Sequence, residues 1–249
     1  MLYRKGMPMN GTAITPKARS FPVALVTSSL GKKYLAAVTG FISFGYIVGH
    51  MLGNLQIFLG QDRLNSYAEF LHSLGAGLWI IRIVLGAAFA IHIWMGIQLK
   101  LENWSARPMG YESKATIQAD LASRTMIWTG LIVFAFFMFH ILQFTARVTD
   151  PSYQKLFDEA GRVDVYSMVI LGFRNTFVSV FYIIAVGLLC YHLTHGFKSM
   201  WQSIGWNKPQ YDKCLGRLAW VLSIIIFLGF SAVPIAVLTG LVKLPTEGM

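Results

Sequence analysis

Charge is what this sequence has least of: 13% of its 249 residues are Asp, Glu, Lys or Arg, about half the share of an ordinary soluble domain. No stretch is polar enough to form a separate soluble domain, so a single domain over residues 1–249 is expected. Cysteine is limited to Cys190 and Cys214, which have neither the pairing of a disulfide framework nor the CxxC spacing of a metal or redox site. Both are expected to serve packing. The first twenty residues carry Arg4, Lys5, Lys17 and Arg19 but no apolar core, so a cleavable signal peptide is not expected. Internal repeats and low-complexity segments are not evident.

What remains is apolar: 55% of residues are hydrophobic, and the mean hydropathy is +0.55. Five long apolar runs cover residues 34–59, 78–99, 125–146, 177–197 and 218–242. Each is long enough to cross the hydrocarbon as a helix, which satisfies its own backbone in lipid. The expected fold is therefore all-α, an integral membrane bundle of five transmembrane helices. Pro234 in the fifth run can kink that helix where neighbours satisfy the freed carbonyl.

The net charge of +10 does not point to nucleic acid, because the basic residues flank apolar spans. It reads as orientation. With the N-terminus inside, that side holds 14 of the 21 Lys and Arg against four acids, while the other side sets seven bases against seven acids. The positive-inside rule then makes the N-terminus cytoplasmic.

Four of the six histidines lie in separate spans: His50, His92, His140 and His192. An ionisable side chain inside a membrane marks function. Neutral imidazole ligates iron, and two imidazoles on facing helices supply both axial bonds of a haem. Two ligands of one haem must lie at similar depth. At 1.5 Å per residue, His50 stands about 25 Å from Lys33 and His140 about 24 Å from Arg124. His92 stands about 12 Å from Lys100 and His192 about 9 Å from Lys198. The depths sort into an outer pair, His50 with His140, and an inner pair, His92 with His192, roughly 14 Å apart. Two b-type haems stacked across the bilayer are the expectation.

His195, one turn after His192, is a rival for the inner ligand, though nearer the charged end. His72, near Glu69, reads as a solvated or interfacial residue. Gly45, Gly49 and Gly53 form a small-residue stripe beside His50 that admits a neighbouring helix or a flat macrocycle. Arg82 and Arg124, at span ends, are candidates to pair with haem propionates, with snorkelling anchors as the plainer reading.

The ordered set TGFISFGYIVGHMLGN (39–54), IHIWMG (91–96), LENWSARP (101–108), LASRTM (121–126), FHILQF (139–144) and YHLTHGFKS (191–199) resembles the cytochrome b subunit of succinate:quinone oxidoreductase and fumarate reductase complexes, of the single-anchor, dihaem type. The resemblance spans nearly the whole chain. It implies His192 as the inner ligand, through an HxxxG pattern completed by Gly196, and the same pairing of first with third span and second with fourth. It further implies a flavoprotein subunit holding the dicarboxylate site and an iron-sulfur subunit docked on the cytoplasmic face. The chain would then be the membrane subunit of an enzyme complex, in a bacterial cytoplasmic membrane, passing electrons between the iron-sulfur subunit and a quinone, with menaquinone suggested. In some relatives an outer carboxylate serves the quinol, and Glu69 in NSYAEF (65–70) is the matching candidate.

Two other readings stay open at this stage. One is the dihaem cytochrome b subunit of a hydrogenase, formate dehydrogenase or nitrate reductase. The other is a proton-coupled transporter with histidine relays.

Overall fold

The computed structural model describes residues 20–106 and 121–245, the side chains of 121–124 excepted. Among the described residues the helices are α1 (Phe21–Thr27), α2 (Ser29–Asn54), α3 (Gln61–Ser73), α4 (Ala76–Ser105), α5 (Leu121–His140), α6 (Val165–Arg174), α7 (Thr176–Ser203) and α8 (Asp212–Leu238). Five of them, α2, α4, α5, α7 and α8, are long and apolar enough to span a membrane. Their outward faces carry Ile80, Ile83, Trp128, Ile184, Ile225 and Leu228, all exposed. Water would penalise such a surface, whereas lipid solvates it.

The helices run past the ends of the apolar runs because the flanking polar residues hold the helix outside the hydrocarbon. α4 continues to Ser105, where Glu102 pairs with Lys32 of α2 and accepts a hydrogen bond from Ser29. The Lys198–Asp212 bridge, 2.8 Å, ties the end of α7 to the start of α8. These contacts set the antiparallel alternation and define a near end of the bundle, which carries Ser29, Ser105 and Ser203.

α7 is the hub, packing on α8, α5 and α2, while α2 also packs on α4 and α4 touches α5 lightly. α2, α4, α5 and α7 thus form a ring of four, with α8 outside against α7 and α2. Small buried residues, Ser179 and Ala185 on α7 with Ala219 and Ser223 on α8, let that seam close tightly. α8 is unbroken through Pro234, which is buried. Its expected extension to residue 242 is not observed: the helix stops at Leu238, Gly240 takes φ +72°, and the Leu241 and Val242 amides donate back to the Ala236 carbonyl at 2.9 and 3.1 Å. Apolarity persists past the helix because Val242 folds back into the core. Cys190 is buried as expected, but Cys214 is exposed.

The connector 60–77, which reads as a short link, contains α3, and the acidic connector 147–176 contains a 3₁₀ turn, Pro151–Lys155, and the apolar α6. Together they cap the far end. Asn65, with no exposed surface, is the knot of that cap. Its amide donates to Asp158 Oδ2 (3.1 Å) and Asp164 Oδ1 (3.0 Å), and its carbonyl accepts from the Tyr166 amide (3.0 Å). Arg162 bridges Asp158 and Asp62 and donates to Ser66. Every polar group in the knot is answered, which makes its burial tolerable. Burial pushes the Asp158 carboxyl up, but hydrogen bonds from the Arg162 backbone, Asn65 and the Arg162 guanidinium outweigh it and hold the group below the usual carboxylate range.

Candidate functional site

The four span histidines meet two by two. His50 on α2 faces His140 at the end of α5, ring centroids 5.6 Å apart and planes at 84°. His92 on α4 faces His192 on α7, centroids 6.3 Å apart and planes at 72°. Neither α2 with α5 nor α4 with α7 forms an extended helix seam, so each pair lies on a diagonal of the four-helix ring. The rings therefore reach inward, across the bundle interior.

Two independent rulers give the spacing of the levels. A Cβ on Gly40 of α2 would lie 3.1 Å from His92 Cε1, and one on Gly130 of α5 would lie 3.3 Å from His192 Cε1. Gly40 precedes His50 by ten residues, and Gly130 precedes His140 by ten. Each helix thus spans about 15 Å between the two levels. Glycine at these two positions lets the opposite imidazole come against the helix backbone.

The hydrogen bonds around the rings fix the tautomer of His92 and are consistent with the same one in His192 and His140. His92 Nδ1 lies 2.9 Å from the Ala36 carbonyl, which accepts only, so Nδ1 carries the proton. Thr129 gives its hydroxyl proton to Met126 O at 3.0 Å and accepts from His192 Nδ1 at 3.2 Å. Tyr182 gives its proton to Gln143 Oε1 at 2.8 Å and accepts from His140 Nδ1 at 3.4 Å. His92 thereby keeps the Nε2 lone pair, and so do His192 and His140 when Nδ1 is their donor. Metal-bound histidines show this pattern, one nitrogen engaged by a polar partner and the other free to ligate. His50 differs: Asn54 Nδ2 donates to the His50 carbonyl at 2.8 Å and stands 3.4 Å from both ring nitrogens, selecting neither.

Two imidazoles sharing one metal, each bonded at about 2.0 Å, have ring centres roughly 6 Å apart. The pair at the near level matches that spacing, and the far pair is slightly closer. Among the described residues no group of three or more His, Cys, Asp or Glu converges, so neither pair is part of a protein-only metal cage. Two axial nitrogens are what a haem asks of a protein, since the macrocycle supplies the other four. Gly45 and Gly49 have nothing within 4 Å of where a Cβ would stand, which leaves a flat open strip beside His50. The donor set at both levels is what a haem would need, and the open strip lies at the far level.

The remaining sequence candidates divide. His192, not His195, is the ring opposite His92. Gly53 leaves the expected stripe and packs under the Tyr67 ring of α3, because α3 folds back over the end of α2. His72 and Glu69 are exposed on α3, whose buried polar contacts are made by Asn65 instead. Arg82 is exposed with its guanidinium 5.1 Å over the Trp79 ring, an anchor geometry. The Arg124 side chain lies outside the described residues. Residues the sequence reading missed are Tyr182, Thr129, Gln143 and the Ala36 carbonyl. Tyr182 lies ten residues before His192, the same offset that relates Gly40 to His50 and Gly130 to His140, and that shared spacing was the available signal. Tyr46, stacked on His50 at 5.4 Å, and Phe230, at 5.9 Å, complete the wall of the far level.

No family model, curated protein or solved structure matches the chain.

Proposed function

We propose that this chain is the dihaem cytochrome b membrane anchor of a succinate:quinone oxidoreductase or fumarate reductase complex, carrying electrons between an iron-sulfur subunit and membrane quinone. The observation that carries the reading is the pair of crossed diagonals: two couples of imidazoles at two depths, with Nε2 unengaged in three of the four rings. Haem bound there supplies one-electron transfer with no open coordination site for oxygen. The chain's own part is to hold and orient. His50 and His140 would ligate at the far level, and His92 and His192 at the near level. Ala36, Thr129 and Tyr182 keep the rings turned, and the apolar spans exclude water.

The excess of Lys and Arg on the near side supports a cytoplasmic near end in a bacterial inner membrane, where the iron-sulfur partner would dock beside the flavoprotein subunit. Arg82 and Arg124 are proposed as propionate partners and Glu69 as a quinol proton acceptor at the far end. Menaquinone is the proposed quinone, and the dicarboxylate chemistry belongs to the flavoprotein.

The test is an absorbance spectrum of the purified chain, oxidised and dithionite-reduced, with the haem content measured. Two haems per chain and a b-type alpha band are expected. His50→Ala and His140→Ala should each remove one spectral component, and His92→Ala and His192→Ala the other. A chain with no alpha band is not a cytochrome. Loss of the same component from His50→Ala and His92→Ala refutes the pairing. A complex that co-purifies with a hydrogenase or molybdenum subunit, without a flavoprotein, refutes the assignment to succinate or fumarate chemistry.

A further inference from the structure

Directly after His140 the helix widens into a π turn, Ile141–Thr145, which carries Gln143 into the interior. π turns place a side chain where a regular helix would not, and they recur at functional sites. Gln143 is 4% exposed, an expensive position for an amide unless it is used. Its oxygen accepts from the Tyr182 hydroxyl, which in turn faces His140. Tyr153, itself buried, stands beside Gln143 in the lining of the same cavity.

This amide stands in the wall of a half-open cavity of about 250 Å³ bordered by α5, the Pro151 turn, α6 and the start of α7. Phe139, Leu171 and Val178 make its apolar sides, and Gln143 and Tyr153 its polar ones. Gly172 opens it: a Cβ there would lie 3.2 Å from Gln143 Nε2, so the amide nitrogen reaches the cavity wall at the point where a side chain is missing. Of the other polar lining groups, Asp150 is engaged by the Ser152 amide and Asn175 by the Phe177 and Val178 amides. With its oxygen given to Tyr182, Gln143 offers the cavity a donor.

We infer that this cavity is the binding site for the quinone head group, with Gln143 donating to a quinone carbonyl. The inference rests on the dihaem reading of the histidine pairs and sets this cavity, which Glu69 does not line, against the Glu69 end of α3 as the place where the quinone binds. The match is chemical: flat apolar walls for a ring, a buried donor for an oxygen acceptor, and a hydrogen-bonded path of two side chains to an imidazole of the far pair. The volume falls just below the usual range of ligand cavities, so it would take a ring head group with the isoprenoid tail outside in lipid. A quinol oxidised there would give up two electrons, one at a time, to a haem that His50 and His140 would hold at the far level. Its two protons leave past Thr149 and Asn175, which are exposed. Reduction of the quinone runs the same balance in reverse.

The experiment uses the assembled complex and two readouts, equilibrium binding of a fluorescent hydroxyquinoline N-oxide to the oxidised protein and the KM for a soluble naphthoquinol. Gln143→Leu removes the donor at similar volume, and Leu171→Trp fills the cavity without touching the hydrogen-bond path. Both are expected to weaken probe binding and raise KM tenfold or more, with the haem spectrum and haem content unchanged. Should Leu171→Trp fail to assemble, Gln143→Leu and Tyr153→Phe decide by the same two readouts. Unchanged binding and KM in variants that retain both haems overturn the cavity assignment and leave the dihaem reading standing. So does release of one phospholipid by Leu171→Trp with probe binding intact, and so does a rise in KM confined to Glu69→Gln. A wild-type complex without an alpha band fails at the earlier step and refutes the dihaem reading itself.

Discussion

Replacing Thr129 by valine isolates one hydrogen bond at the near level. The side chain is 6% exposed, and valine keeps its shape, so packing is preserved. The hydroxyl that accepts from His192 Nδ1 disappears. An N–H left without a partner in a membrane interior costs about 1–3 kcal/mol. A second route gives the same size: loss of a group that orients a metal ligand weakens metal binding roughly 10–100-fold, or about 1.4–2.8 kcal/mol. If the proposed haem is bound at the near level, Thr129→Val is therefore expected to release it about 10–100 times faster, while Thr129→Ser, which keeps the hydroxyl, stays close to wild type. The assay is transfer of haem to an excess of an apo-globin acceptor, followed in the alpha band of each component. The far-level component should be unaffected, because the levels are about 15 Å apart and sites that distant act independently. Equal acceleration of both components, or of neither, refutes the assignment of Thr129 to His192.

Gly40→Val should displace His92 and lower the near-level haem content selectively, since even a Cβ would lie 3.1 Å from the ring; resolved redox spectra of the two components check it. Gly172→Ala places a methyl 2.9 Å from the Phe144 ring, and overpacking of this kind costs about 1–3 kcal/mol, read as a lower denaturation midpoint. The Asp158 carboxyl is held below its usual range in the folded protein, so its contribution is present above the unfolded pKa and lost as pH falls through the lower, folded one. The far-end cap should accordingly stay protease-resistant at neutral pH and open only in acid below the ordinary carboxylate range, with Asp158→Asn opening it at neutral pH. Protection of the Arg162 loop that does not change with acid would contradict this.

The spans and the histidine levels were legible because hydropathy and depth along a helix are one-dimensional quantities. Counting residues from Lys33 or Lys198 needs no knowledge of neighbours. The diagonals were not legible, since equal depth says which rings can meet but not which helices lie between them. Nor was the Ala36 carbonyl, a backbone group that no side-chain pattern announces. The far-end cap was hidden for a different reason: Asn65 is paired with Asp158 and Asp164, 93 and 99 residues away, and a buried Asn is written like a loop Asn. The reach of the fifth helix was overestimated because Leu241 and Val242 are as apolar as the helix they follow, and only Gly240 marks the turn.

Diagonal pairing has a consequence for how the molecule is made. As the chain emerges from the ribosome, His50 waits without its counterpart until the third span has entered the membrane, and His92 waits until the fourth. No hairpin of consecutive spans holds a finished binding couple. The far couple is completed first and the near one after it, so a nascent chain stalled between α5 and α7 would own one couple and lack the other.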